Sequence, residues 1–215
     1  MTADEIAALF AGTDGRFLCA RWGRPIVPVV FGVAPDSLPL IKGAIEAVVA
    51  LAGHKMAETD PELGANLMMF FVADWQELRE APNLDRLVAD LSGVVDRLQR
   101  EGARHYQMFR FDPDGAIRAA FVFVRLQDVV MGAQAEALAL AQAVQVMLTW
   151  GAGAFATRAA LHAVGQGEVA VRPEIAQLMR AAYDPVLPPV AHEPHFALRL
   201  AARMAVGGVK PQDQD

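Results

Sequence analysis

Thiol chemistry is nearly absent from this chain. Cys19 is the only cysteine among 215 residues, so no intrachain disulfide can form and no cluster of thiolates can hold zinc or an iron–sulfur group. That usage predicts a reducing, cytoplasmic compartment. Lysine is almost as scarce, occurring at Lys42, Lys55 and Lys210, and the formal net charge is −6. With no basic stripe to neutralise phosphates, nucleic acid is not an expected partner. A secretory leader is not read at the start either, since Asp4 and Glu5 stand where such a leader carries positive charge. The longest uncharged stretch, residues 137–157, is interrupted by Gln142, Gln145, Thr149, Gly151 and Gly153, which argues for a buried helix and a loop rather than a membrane span.

What is abundant is apolar surface. Hydrophobic residues make up 54% of the chain and charged ones 20%, with a mean hydropathy of +0.26, enough to build a sizeable core and to leave no compositional case for disorder. The length suits one domain over residues 1–205, followed by a flexible tail over 206–215.

Periodicity then orders the elements. Residues 25–33 are β-branched and aromatic and read as a strand, with Pro28 suggesting an edge position or a bulge. Ile41, Ala44, Ile45, Val48 and Ala52 repeat at helical spacing, with Ser37 as cap and Gly53 as stop. Residues 66–73 form a short apolar run suited to a central strand. Leu84, Leu87, Val88, Leu91, Val94, Val95 and Leu98 form one unbroken helical stripe, capped by Asn83 and stopped by Gly102. Two strand-like runs, 105–111 and 116–125, flank Asp112-Pro113-Asp114-Gly115 and predict a β-hairpin. A largely buried helix is expected over 133–150 and a last one near 173–183, opened by Pro173. The prediction is an α/β (α+β) fold in the order β-α-β-α-β-β-α-α, with one mixed sheet packed against several helices.

Candidate chemistry is sparse. His192-Glu193-Pro194-His195 is the only histidine cluster; its spacing and its proline rule out the helical HExxH arrangement, which leaves His192 and His195 as surface residues or a loop metal site. His105, opening a strand, reads as a packed residue. Cys19 sits between Leu18 and Ala20, where a thiol fills space. The segment 151–156 matches G-x-G-x-x-A, so Gly151 and Gly153 are candidates for holding a dinucleotide's pyrophosphate if a strand precedes them and a helix starts at Thr157. The competing reading is a helix stop with a small-residue bend. Trp22 and Arg24 before the first strand, and Trp75 after the second, are candidates to line a groove at the strand ends or to cover the core edge.

The phrases RWGRPIVPVVFG at 21–32, AGHKMAETDPELGANLMMFFVAD at 52–74 and EIAQLMRAAYDPVLPP at 174–189 resemble a bacterial domain-of-unknown-function family with a zincin-like layout. The resemblance places Ala141 and Gln145 where an active zincin has its two histidine ligands and Gln142 where it has the general-base glutamate. A methyl and two neutral amides cannot hold zinc or take a proton from its water, so peptidase chemistry is not carried over. Gln142 and Gln145 join Trp22, Arg24 and Trp75 as residues of the groove such a degenerate site would leave. The expectation is a non-catalytic binding or protein-interaction protein without a cofactor. The alternatives are a nucleotide-using enzyme or sensor at 151–156 and a homo-oligomer built on apolar helical faces.

Overall fold

A computed structural model describes residues 1–126, 133–165 and 167–207. The chain opens with α1 (Ala3–Leu9), fixed by a capping box in which Glu5 N–H donates to Thr2 Oγ1 and the Glu5 carboxylate accepts from Thr2 N–H. The short strand β1 (Cys19–Ala20) follows, then β2 (Pro28–Phe31) and α2 (Leu38–Leu51). Next come β3 (Leu67–Val72), the short helices α3 (Glu77–Glu80) and α4 (Leu84–Leu87), and α5 (Leu91–Arg100). The hairpin of β4 (His105–Phe111) and β5 (Ile117–Arg125) leads to α6 (Ala133–Met147). The ribbon of β6 (Leu161–Gly165) and β7 (Glu168–Val171), then α7 (Pro173–Ala182), β8 (Val190–Ala191) and α8 (Phe196–Gly207) complete it.

The central sheet has the order β2-β3-β5-β4. β2, β3 and β5 run parallel, and β4 pairs antiparallel with β5 across the turn at Asp112–Gly115, where Gly115 at φ 83° donates its N–H to Asp112 O at 2.8 Å. This is the mixed sheet predicted, with the Pro28 strand at its edge and residues 67–72 inside it. Two-stranded ribbons, β1 with β8 and β6 with β7, lie outside that sheet.

Both faces of the sheet are covered. Leu67, Met69 and Phe71, with Ala120, Val122 and Val124, face α1, α2, α6, α7 and α8 in the larger apolar cluster. The alternate residues Met68, Phe70, Phe121 and Phe123 face α3, α4 and α5 in a smaller one. On that second face Phe31, Phe70, Phe123 and Tyr106 stand in register across all four strands, with ring centroids 4.8, 5.2 and 6.2 Å apart in turn.

Three expectations need correction. The stripe 84–98 is one apolar surface but not one helix: Asn83 and Asp90 adopt left-handed φ of 59° and 50°, Val88 is extended, and Asp90 rather than Asn83 supplies a side-chain cap, accepting from Gly93 N–H at 3.2 Å. His105 is exposed on β4 rather than packed. The tail expected from residue 206 overlaps α8, which ends at Gly207; residues 208–215 lie outside the described residues.

The C-terminal end of α6 is closed in an unusual way. Its last carbonyls have no partners within the helix, and aromatic donors from elsewhere take them: Trp150 Nε1 donates to Val144 O at 2.9 Å, Trp22 Nε1 to Val146 O at 2.8 Å, and Tyr183 Oη to Met147 O at 2.7 Å. Among the described residues no helix is long and apolar enough to cross a membrane.

Candidate functional site

The residues singled out in the sequence do not converge. Trp22 and Trp75 are completely buried, in the clusters on opposite faces of the sheet, so they cannot share a groove. Gln142 is buried on α6 and Gln145 half-buried. Arg24 belongs to an ion network: it holds Asp112 through both carboxylate oxygens at 2.9 and 3.1 Å, Glu62 at 3.1 Å and Asp60 at 3.4 Å. Asn66, fully buried, donates to Asp60 at 3.0 Å and accepts from Val27 N–H at 2.8 Å, tying the loop before β3 to the chain entering β2. Burial pushes the Asp60 carboxyl up, but the N–H groups of Leu63 and Glu62, the Asn66 amide and Arg24 outweigh it and bring the pKa down to about 2. The network braces structure rather than exposing a reactive group.

The elements flanking 151–156 are not those a dinucleotide turn requires. A helix, α6, precedes the glycines instead of a strand, and after turns the chain enters β6 with no helix at Thr157. Gly151 is needed for packing: its N–H donates to Leu9 O at 2.8 Å, and a Cβ there would collide with the main chain of Ala11. His192 and Gly151 border one cleft of about 760 Å³ under Trp150, yet Trp150 is only 8% exposed and the cleft's Asp14 and Arg16 pair with each other at 3.3 Å. His192 and His195 are both exposed. Among the described residues no group of three or more His, Cys, Asp or Glu side chains could hold a metal ion. Burial pushes the Cys19 thiol up to about 12, which keeps it from acting as a nucleophile near neutral pH.

The most distinctive open surface is a groove that sequence reasoning missed. It holds about 730 Å³, within the roughly 300–1,000 Å³ common for ligand pockets. Its floor is Met68, Ala119 and Phe121 of the smaller-cluster face, and its rim carries Arg86 and Leu87 of α4, Arg110 and Phe111 of β4, Arg118 of β5 and Leu63. The kink at Asp90 separates α4 from α5, so Leu84 enters the core while Arg86 and Leu87 stay exposed over the open end of the sheet. Arg110 donates to Leu87 O and lies over the Phe121 ring at 5.7 Å.

Its electrostatics are uneven. Arg118 is compensated by Glu62 at 3.0 Å. Among the described residues Arg86 and Arg110 pair with no carboxylate. Beside them Leu63, Leu87 and Phe111 are 40%, 41% and 42% exposed. Cations next to exposed apolar side chains suit an anionic group attached to an apolar body. The groove escapes sequence reading because its parts come from four separated segments, none with a periodic or motif signal. Comparison of the chain with protein families, with curated proteins and with solved structures finds no match.

Proposed function

We propose that this protein is a non-catalytic binding module that takes an acidic, partly apolar segment of a protein partner into the groove of Arg86, Arg110 and Phe111. The observation that carries the reading is the pair of arginines that, among the described residues, have no carboxylate partner and stand beside three exposed apolar side chains, on a chain whose net charge is −6. An acidic segment satisfies the cations, and its apolar residues cover Leu63, Leu87 and Phe111. The zincin-like resemblance belongs to the same proposal: Ala141, Gln142 and Gln145 lie on α6, and a scaffold with those residues in the ligand positions binds rather than cleaves.

Calorimetric titration with synthetic peptides that mix glutamate and leucine tests this. Binding should weaken with salt, and Arg86→Glu should lower affinity about tenfold, equivalent to about 1.4 kcal/mol. Arg86 is exposed, so the substitution leaves the core intact. Affinity indifferent both to salt and to charge reversal at Arg86 and Arg110 would sink the proposal.

A further inference from the structure

The edge of the sheet beside the groove has its own hydrogen-bonding capacity. Arg125 N–H donates to Arg104 O at 2.8 Å, while Ala120 and Leu126 donate theirs the other way, to Asn66 O and Val72 O, each at 2.8 Å. Antiparallel pairs alternate, so Tyr106, Met108 and Arg110 turn their main-chain groups toward β5, and His105, Gln107 and Phe109 turn theirs outward. Among the described residues β4 is the last strand on its side. Among the described residues those outward N–H and C=O groups take no hydrogen bond.

The two edges of the sheet differ. β2 is four residues long and starts at Pro28, both of which blunt an edge; β4 has seven residues and no proline. Between Glu101 and Asp112 there is no carboxylate, whereas Arg104 and Arg110 are both exposed. Phe109, Arg110 and Phe111 belong to both the edge and the groove.

We infer that β4 takes an extended acidic segment as an added strand, with alternate side chains of that segment entering the groove; this rests on the binding reading above. Main-chain hydrogen bonds would supply affinity, and the arginines a preference for acidic residues. A second copy of this chain fits less well. The one two-fold register that joins all three outward residues centres on Gln107, and the same alternation sets Arg104 opposite Arg110 of the second copy, and the reverse, with like charges directly across the pair.

The probe is a short fluorescent peptide alternating glutamate and valine, measured by anisotropy together with two versions N-methylated on one or the other alternate set of amides. Strand addition predicts that one N-methylated set loses affinity at least about tenfold while the other is tolerated. Gln107→Pro, which removes an outward N–H without touching the ladder to β5, should weaken binding similarly, with circular dichroism confirming the fold. Binding that depends on Arg86 but ignores both methylation patterns and Gln107→Pro overturns strand addition and leaves the groove reading standing. Absence of binding at millimolar peptide overturns both. Sedimentation showing a dimer that Gln107→Pro dissociates would overturn the acidic segment as occupant and install the second copy.

Discussion

At the scale of the residue, polar atoms placed inside apolar surroundings decide the most. Tyr183 is buried, which pushes its phenol up, and its hydroxyl donates to Met147 O while accepting the Trp22 N–H at 3.4 Å. Tyr183→Phe leaves a buried carbonyl and a buried N–H without partners, so it should cost about 1–3 kcal/mol, read as a lower urea midpoint at unchanged slope. Asp60 has the opposite titration behaviour. Its folded pKa of about 2 lies below the ordinary 3.8, so its contribution is complete above the unfolded pKa and disappears as pH falls through the folded one. That contribution is about 2 kcal/mol. In urea melts Asp60→Asn should lie well below the parent near neutral pH, and the gap should narrow toward about pH 2. A gap independent of pH would mean that the carboxylate's charge is not what braces the loop.

At the scale of the element, the row of rings crossing the sheet makes one residue critical. Phe123 is 1% exposed and stacks on Phe70 and Tyr106, so Phe123→Ala should cost about 3–5 kcal/mol in denaturant unfolding. The strands and helices that were legible in the sequence are β2, β3, β4 and β5, α2, α6 and α7, each carried by a sustained apolar run or period. Their burial follows their period. The break between α4 and α5 was not legible, because Leu84, Val88, Leu91, Val95 and Leu98 keep helical spacing across it while the left-handed residues at Asn83 and Asp90 leave no periodic trace. The start of α1 carries a local signal, Thr2 with Glu5 three residues on. The glycines at 151 and 153 read as a phosphate turn because sequence shows small residues but not what presses against them; at Gly151 that is Ala11. The groove had no local signature at all, since Leu63, Arg86, Arg110 and Phe121 meet only through the sheet.

At the scale of the whole molecule, the sheet separates two apolar layers that share its strands, so each strand residue supports one layer and its neighbour the other. The larger layer gathers both ends of the described chain, with Ile6 of α1 and Leu200 of α8 both inaccessible to solvent. Among the described residues the smaller layer draws on the stretch from Val72 to Ala103 and the sheet face beneath it. The indoles are distributed between the layers in the same way. Trp22 and Trp150 lie on one side of the sheet and Trp75 on the other, and Trp75 donates to Ala103 O at 3.1 Å just as the first two donate to α6. Each layer therefore carries its own fluorophore: with Trp75→Phe the remaining emission reports the core that joins the two ends, and the part of the parent signal lost with Trp75 reports loosening of the helices that frame the groove.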